Sequence, residues 1–236
     1  MTASASALWL NTVFAGFDLG ITDAIHKLFL LAGGFFTPFF RFFSFLCDPV
    51  VIVVIALVFV FFKKTRRFGL PFLIAITVGV LLTNGCLKLL VARPRPYTDT
   101  TGLFYQFWLE VGQFTESDNS FPSGHATAAF ASMTAVFYCW DHRLRRLAYL
   151  PAILVAISRI YLCVHYPSDV LVGIIVGLIS GHIAVLINKK LPKSLYEFDF
   201  LSLKKHWIIF TYYSIIVIYM HFRVIKTSSK RFNYIF

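Results

Sequence analysis

Three short groups of residues in this 236-residue chain combine side chains that could do chemistry together. The first is Lys88 with Arg95-Pro96. The second is Pro122-Ser123-Gly124-His125. The third is Ser158-Arg159, followed by His165 and Asp169. Lys88, Arg95 and Arg159 are three cations with few obvious acid partners, and they need an anion to compensate them. Arginine presents a planar fork suited to phosphate oxygens, and lysine adds a point charge. Ser123-Gly124 opens a predicted helix, whose unpaired N–H groups and dipole favour an anion. Gly124 has no side chain to block that approach. Donors converging on one tetrahedral anion would stabilise the charge of a phosphoryl transition state.

Two histidines complete the set. His165 lies four residues before Asp169. Ser168 is expected to cap the helix that follows, which puts Asp169 in its first turn. There the carboxylate can accept Nδ1–H of His165 and leave Nε2 free as a nucleophile. His125, from another helix, can protonate the leaving oxygen. The expected chemistry is hydrolysis through a phosphohistidine. No metal and no cofactor is called for, because cationic side chains take the electrostatic role.

The elements that carry these residues are apolar. Apolar residues make up 58% of the chain and charged residues 14%, with a mean hydropathy of +0.74. An ordinary soluble domain carries about 25% charged residues, so the apolar excess must face lipid. A spanning helix needs roughly 20 mostly apolar residues. Segments 45–62, 69–90, 122–140, 147–165 and 168–188 qualify, and 207–222 is a shorter, aromatic sixth candidate. Asp48-Pro49 is expected to start the regular helix of the first. Gly33-Gly34, Pro38 and Arg41 interrupt the apolar stretch 28–46, which reads as a re-entrant or interfacial helix or a poor span. Phe104, Phe107, Trp108 and Val111 recur at helical spacing, so 103–113 reads as a short amphipathic helix, an interface anchor or a lid. The fold class is thus all-α: a multi-pass transmembrane bundle of about six helices with short amphipathic interfacial helices. It forms a single membrane domain, with an N-terminal interfacial or re-entrant segment (1–47), a catalytic core (48–190) and an appended C-terminal helix and basic tail (191–236).

The net charge of +11 does not indicate nucleic acid. Twelve of the cations fall in three runs between apolar segments: Lys63, Lys64, Arg66 and Arg67; Arg143, Arg145 and Arg146; and Lys189, Lys190, Lys193, Lys204 and Lys205. If the five better segments each cross once, all three runs lie on one face, which the positive-inside rule makes cytoplasmic. The three chemical groups then lie on the opposite, extracytoplasmic face of a cell membrane. The four cysteines show no metal-ligand spacing and read as buried thiols.

These motifs resemble those of the type 2 phosphatidic acid phosphatase superfamily: Lys-x6-Arg-Pro, Pro-Ser-Gly-His and Ser-Arg-x5-His-x3-Asp. All three are present in the family's order between residues 88 and 169. The resemblance implies that His165 is the nucleophile, Asp169 its partner and His125 the general acid. It implies that Lys88, Arg95, Ser123, Gly124 and Arg159 hold the phosphate. The implied substrate is a lipid phosphomonoester or diphosphate, such as undecaprenyl diphosphate, phosphatidylglycerol phosphate or phosphatidic acid. Soluble vanadium haloperoxidases share these motifs, but the apolar segments argue against that branch. A phosphotransferase using the same histidine, or a non-catalytic lipid-phosphate binder, are the alternatives. Arg93-Pro94 is a second Arg-Pro pair. The family spacing selects Arg95, so Arg93 reads as a flanking or headgroup contact. The acids Asp99, Glu110, Glu116 and Asp118 read mostly as a solvated face, with a role against the cations as the lesser reading.

Overall fold

The computed structural model describes residues 4–140, 143–198 and 214–215. Every regular element among them is helical: α1 (Ala5–Val13), α2 (Ala15–Leu31), α3 (Thr37–Leu46), α4 (Pro49–Phe61), α5 (Arg66–Leu82), α6 (Lys88–Val91), α7 (Leu103–Val111), α8 (Gly124–Cys139), α9 (Tyr149–Tyr161), α10 (Pro167–Asn188) and α11 (Ser194–Glu197). A π-helical turn, Thr83–Leu87, joins α5 to α6.

Helices α5, α8 and α10 pack against one another at the centre, and small residues let them approach. Gly173, Gly177 and Gly181 form one stripe of α10. A Cβ at Gly177 would stand 2.7 Å from the Thr127 carbonyl oxygen, and one at Gly181 would stand 2.4 Å from Thr134 Cβ. Helices in lipid lack a hydrophobic drive toward each other, so this close packing is what joins them.

Two helical stretches are long and apolar enough to cross a bilayer alone: Arg66–Thr98, with a mean hydropathy of 2.0, and Pro167–Asn188, with 2.6. α3 and α4 together make a third, bent by 56° at their break. Asp48 caps α4 as expected, its Oδ1 accepting Val50 N–H at 3.0 Å, and Pro49 takes the first helical position, where a missing N–H is harmless. α8 and α9 occupy the expected segments 122–140 and 147–165 with 16 and 13 residues. They are roughly 20–24 Å long at ~1.5 Å per residue, shorter than the ~30 Å hydrocarbon core. Most of segment 207–222 lies outside the described residues.

The stretch 28–46 divides into the end of α2, a turn and α3. Gly33 and Gly34, at φ 55° and 75°, supply the left-handed conformation the turn needs. Arg66, expected in a solvated basic loop, is buried instead. Its Nε donates to Val60 O at 2.7 Å and its Nη2 to Phe61 O at 3.0 Å, which satisfies the last carbonyls of α4. α7 ends at Gly112 and docks on α2. Phe107 stacks on His26 with ring centroids 4.0 Å apart, and Glu110 Oε2 lies 3.2 Å from His26 Nε2. His26 is therefore buried between the two helices. Of the four thiols expected to be buried, Cys47 and Cys163 are, Cys139 is half-buried, and Cys86, in the π-helical turn, is exposed.

Candidate active site

The eight residues singled out by type and spacing converge at the ends of α6, α8, α9 and α10. Lys88, Arg95, Gly124, His125 and His165 line one inner cavity of about 60 Å³. Arg159 lines an adjoining groove of about 590 Å³, which meets the cavity at Glu116 and His125. Several elements bring them there. The π-helical turn widens the helix just before Lys88, as such turns often do at functional sites. Ala92, in the left-handed conformation, ends α6 and releases the chain toward Arg95. Pro167 at the first position of α10 sets the start of the helix that carries Asp169.

His165 is held from both sides of its ring. Nε2 lies 3.0 Å from Arg95 Nη1. Nδ1 lies 3.6 Å from Asp169 Oδ2 and 3.4 Å from Ser120 Oγ. The direct His–Asp contact is longer than a hydrogen bond, and Ser120 closes the gap by donating its hydroxyl to Asp169 Oδ2. The partners fix the tautomer. A guanidinium can only donate, so Nε2 presents a lone pair to Arg95, and the proton resides on Nδ1, facing the carboxylate and the hydroxyl.

Ser168 does not cap α10. Its N–H donates to Asp18 Oδ1 at 2.7 Å and its hydroxyl to Asp18 Oδ2 at 2.8 Å. Asp169 itself reaches back to accept Tyr166 N–H at 3.1 Å. The start of α8 also differs in detail from expectation. Ser123 is the N-cap and accepts Ala126 N–H, but its own N–H donates to the Asp169 carbonyl at 3.0 Å. The free donors of that first turn are therefore those of Gly124 and His125. A Cβ at Gly124 would stand 3.6 Å from Asn84 Oδ1 and 3.9 Å from Lys88 Nζ, so the bare glycine leaves room beside the lysine.

The three cations are not without acids. Asp118 bridges Lys88 Nζ and Arg95 Nη2, and Glu116 accepts from Arg159 Nη2. The lesser sequence reading is thus the one that holds for these two carboxylates, while Asp99 stays in the solvated loop, bonded to Thr101. Burial works to raise the pKa of Glu116, but Arg159, with His125 and Arg95, brings it down to about 2. Lys88 and Arg95 likewise outweigh burial and hold Asp118 well below the usual carboxylate range. Arg159 Nη1 donates to Ser44 Oγ, whereas its buried Nε has no hydrogen-bond partner among the described residues. Among those residues no group of three or more His, Cys, Asp or Glu is arranged to hold a metal ion.

Arg93 departs most from expectation. It is 1% exposed and reaches inward, with Nη1 on Asp169 Oδ1 at 2.6 Å and Nη2 on Asp18 Oδ2 at 2.9 Å. The Tyr166 ring packs on the Arg93 guanidinium, its centroid 3.8 Å from the guanidinium carbon. Tyr161 is buried and shares a hydrogen bond of 2.9 Å with Thr37. Ser120 offered no signal in the sequence. Asp18 did: it is an acid among the apolar residues of the first turn of α2, a placement that demands a partner.

Comparison with known proteins finds relatives along most of the chain. The sequence profile described as the PAP2 superfamily matches residues 68–193. Phosphatidylglycerophosphatase B of Bacillus subtilis is 34% identical over 195 residues, 78% of this chain and 78% of its own. An undecaprenyl-diphosphatase of Sulfolobus acidocaldarius is 29% identical over 145 residues, 61% of this chain and 66% of its own. The crystal structure of a transmembrane PAP2-type phosphatidylglycerolphosphate phosphatase from Bacillus subtilis superposes with a TM-score of 0.56 at 26% identity, covering 79% of this chain and 94% of that one.

Proposed function

This chain belongs to the PAP2 superfamily and is a membrane lipid phosphatase of that kind; we propose that His165 is its nucleophile. Nε2 attacks phosphorus, and a P–N bond forms as the P–O bond to the lipid breaks. His125 gives its proton to the leaving oxygen. Water then attacks the phosphorus of the phosphohistidine and gives a proton to His125; the P–N bond breaks, which frees the His165 imidazole and releases inorganic phosphate. The observation that carries this reading is the sorting of the two ring nitrogens. Nδ1 faces Asp169 and Ser120, and Nε2 faces Arg95 across the cavity that Lys88 shares.

Lys88, Arg95, Arg159 and the N–H groups of Gly124 and His125 are the proposed phosphate cradle, with Ser123 as the cap that aims that turn. Glu116 and Asp118 hold the cations in the meantime. A phosphate group needs the same donors, so the two carboxylates yield their places to it. The unpartnered Nε of Arg159 is a donor already free for an anion. With cations and backbone donors supplying the electrostatics, the reaction requires no added metal.

The lipid enters by the groove beside Arg159, whose walls include Pro38, Phe42, Phe45, Phe114 and Leu162. Its volume of about 590 Å³ suits a lipid headgroup and first chain segment. The full protein is read as about six membrane helices in one domain, divided near residues 47 and 190, with this groove opening on the extracytoplasmic side. The basic runs on the other face support that orientation. Among lipids we place a polyprenyl diphosphate first, in line with the undecaprenyl-diphosphatase relative, ahead of phosphatidylglycerol phosphate and phosphatidic acid.

The test is phosphate release by the purified protein in detergent with excess EDTA. Undecaprenyl diphosphate, phosphatidylglycerol phosphate, phosphatidic acid and a soluble phosphomonoester are compared, with His165→Ala as blank. Turnover of a lipid that vanishes in the variant supports the mechanism, and trapped phosphohistidine identifies the intermediate. Turnover that survives in His165→Ala refutes it.

A further inference from the structure

We propose that Arg93 and Asp18 are positioning residues for the catalytic pair, setting both the geometry and the charge balance of Asp169. The inference rests on His165 being the nucleophile. The two oxygens of Asp169 have separate duties. Oδ1 accepts from Arg93 Nη1 at 2.6 Å. Oδ2 serves Ser120, Tyr166 N–H and the His165 ring. Arg93 thus prevents the carboxylate from rotating away from the imidazole and favours its ionised form against the cost of burial.

Arg93 is itself fixed on every side. Nη1 also reaches Ser168 Oγ at 2.8 Å, Nε reaches Asn11 Oδ1 at 2.8 Å, and the guanidinium lies over the Tyr166 ring. Asp18 completes the set by accepting from Arg93, Ser168 N–H and Ser168 Oγ–H. The two Asp18 oxygens thereby tie α2 to the first turn of α10. Asp18, Arg93 and Asp169 are 2%, 1% and 0% exposed, so water does not screen their charges.

The count of charges explains why a second acid is needed. Arg93 alone would neutralise Asp169 and leave nothing to offset a cation on His165. With Asp18 the buried set carries one net negative charge. When Nε2 forms its bond to phosphorus, the imidazole ring becomes cationic, and that charge balances the set. The arrangement therefore favours the phosphorylated state over the free imidazole, which is a contribution to the chemical step rather than to substrate binding.

Asp18→Asn is the first test, because the amide keeps the shape and one acceptor for Ser168. The expected result is a kcat lower by about tenfold or more, with KM within about threefold of wild type, and a smaller fraction of phosphohistidine trapped on acid quenching. Adding Arg93→Gln to Asp18→Asn should lower kcat by less than the product of the two single losses, because the pair acts as a unit. Unchanged kcat in Asp18→Asn, a raised KM with normal kcat, or losses that simply multiply would each overturn the proposal. If Asp18→Asn does not fold, Ser168→Ala removes only the hydroxyl link between Asp18 and Arg93 and is read by the same kcat-against-KM comparison. His165→Ala is run beside these. Activity there would overturn the nucleophile itself, whereas a dead His165→Ala beside a normal Asp18→Asn would overturn only the role of the network.

Discussion

Two clusters of opposed charge meet at His165, and they are built differently. Behind the ring, Arg93 lies between Asp18 and Asp169, all on packed helices or their ends, and none of the three lines the cavity or the groove. In front of it, Lys88, Arg95 and Arg159 meet Glu116 and Asp118. Those acids sit on the loop between α7 and α8 with side chains 28% and 19% exposed. The same residue types therefore do two jobs. An acid anchored in a helix is a permanent partner, and removing its cation strands a buried charge. An acid on a loop can turn to water, so an incoming phosphate can replace it.

The largest effect should come from breaking the rear cluster. Arg93→Met leaves two buried carboxylates unpaired and should destabilise the protein by about 3–5 kcal/mol, read as unfolding in detergent. A loss no larger than that of Arg95→Met, where Asp118 can move to solvent, would erase the distinction. Next, Arg95→Gln should lower kcat about 100-fold or more, as loss of one transition-state donor does, with stability close to wild type. A large unfolding shift instead would make the front cluster as structural as the rear one.

A smaller effect of opposite sign is expected from Glu116→Gln with Asp118→Asn. Freed from competition, the cations should bind phosphate better, so KM should fall several-fold and orthovanadate should inhibit more strongly. A raised KM would mean the carboxylates serve the substrate rather than compete with it. The pH dependence of the front cluster sharpens the same point. Glu116 titrates at about 2 in the folded protein and near ~4.3 in an unfolded chain. Its pairing therefore contributes fully above about pH 5 and is lost as the pH falls through about 4 toward 2. The difference in Tm between wild type and Glu116→Gln should be flat from about pH 6 to 8 and vanish near pH 2. A difference that changed between pH 6 and 8 would assign the titration to another group. The smallest effect belongs to excess EDTA, which should leave turnover unchanged; loss restored by a divalent ion would refute cationic side chains as the source of the electrostatics.

Much of the site was legible in the sequence because its parts lie in short motifs. Spacing places His165 and Asp169 four residues apart across one helix start, and it separates Arg95 from Arg93 by the count from Lys88. Apolar runs likewise locate α4, α5, α8, α9 and α10 within a few residues, and the aromatic stripe locates α7. What local pattern does not carry is the partner of a charge. Glu116 and Asp118 look like loop acids until the loop folds onto the cations, and Ser120 is one serine among many until it stands between His165 and Asp169.

The division has a physical reason. Residue types, helical periods and motif spacings are properties of neighbours along the chain, so the sequence by itself determined a helical membrane protein and the motifs of its proposed histidine-centred phosphate site. Ion pairing in a buried site depends on which distant segments pack together. Only the tertiary structure, by laying α2 against the start of α10, decided that Arg93 faces Asp169 and Asp18 rather than lipid, and that Lys88, Arg95 and Arg159 pair with loop carboxylates.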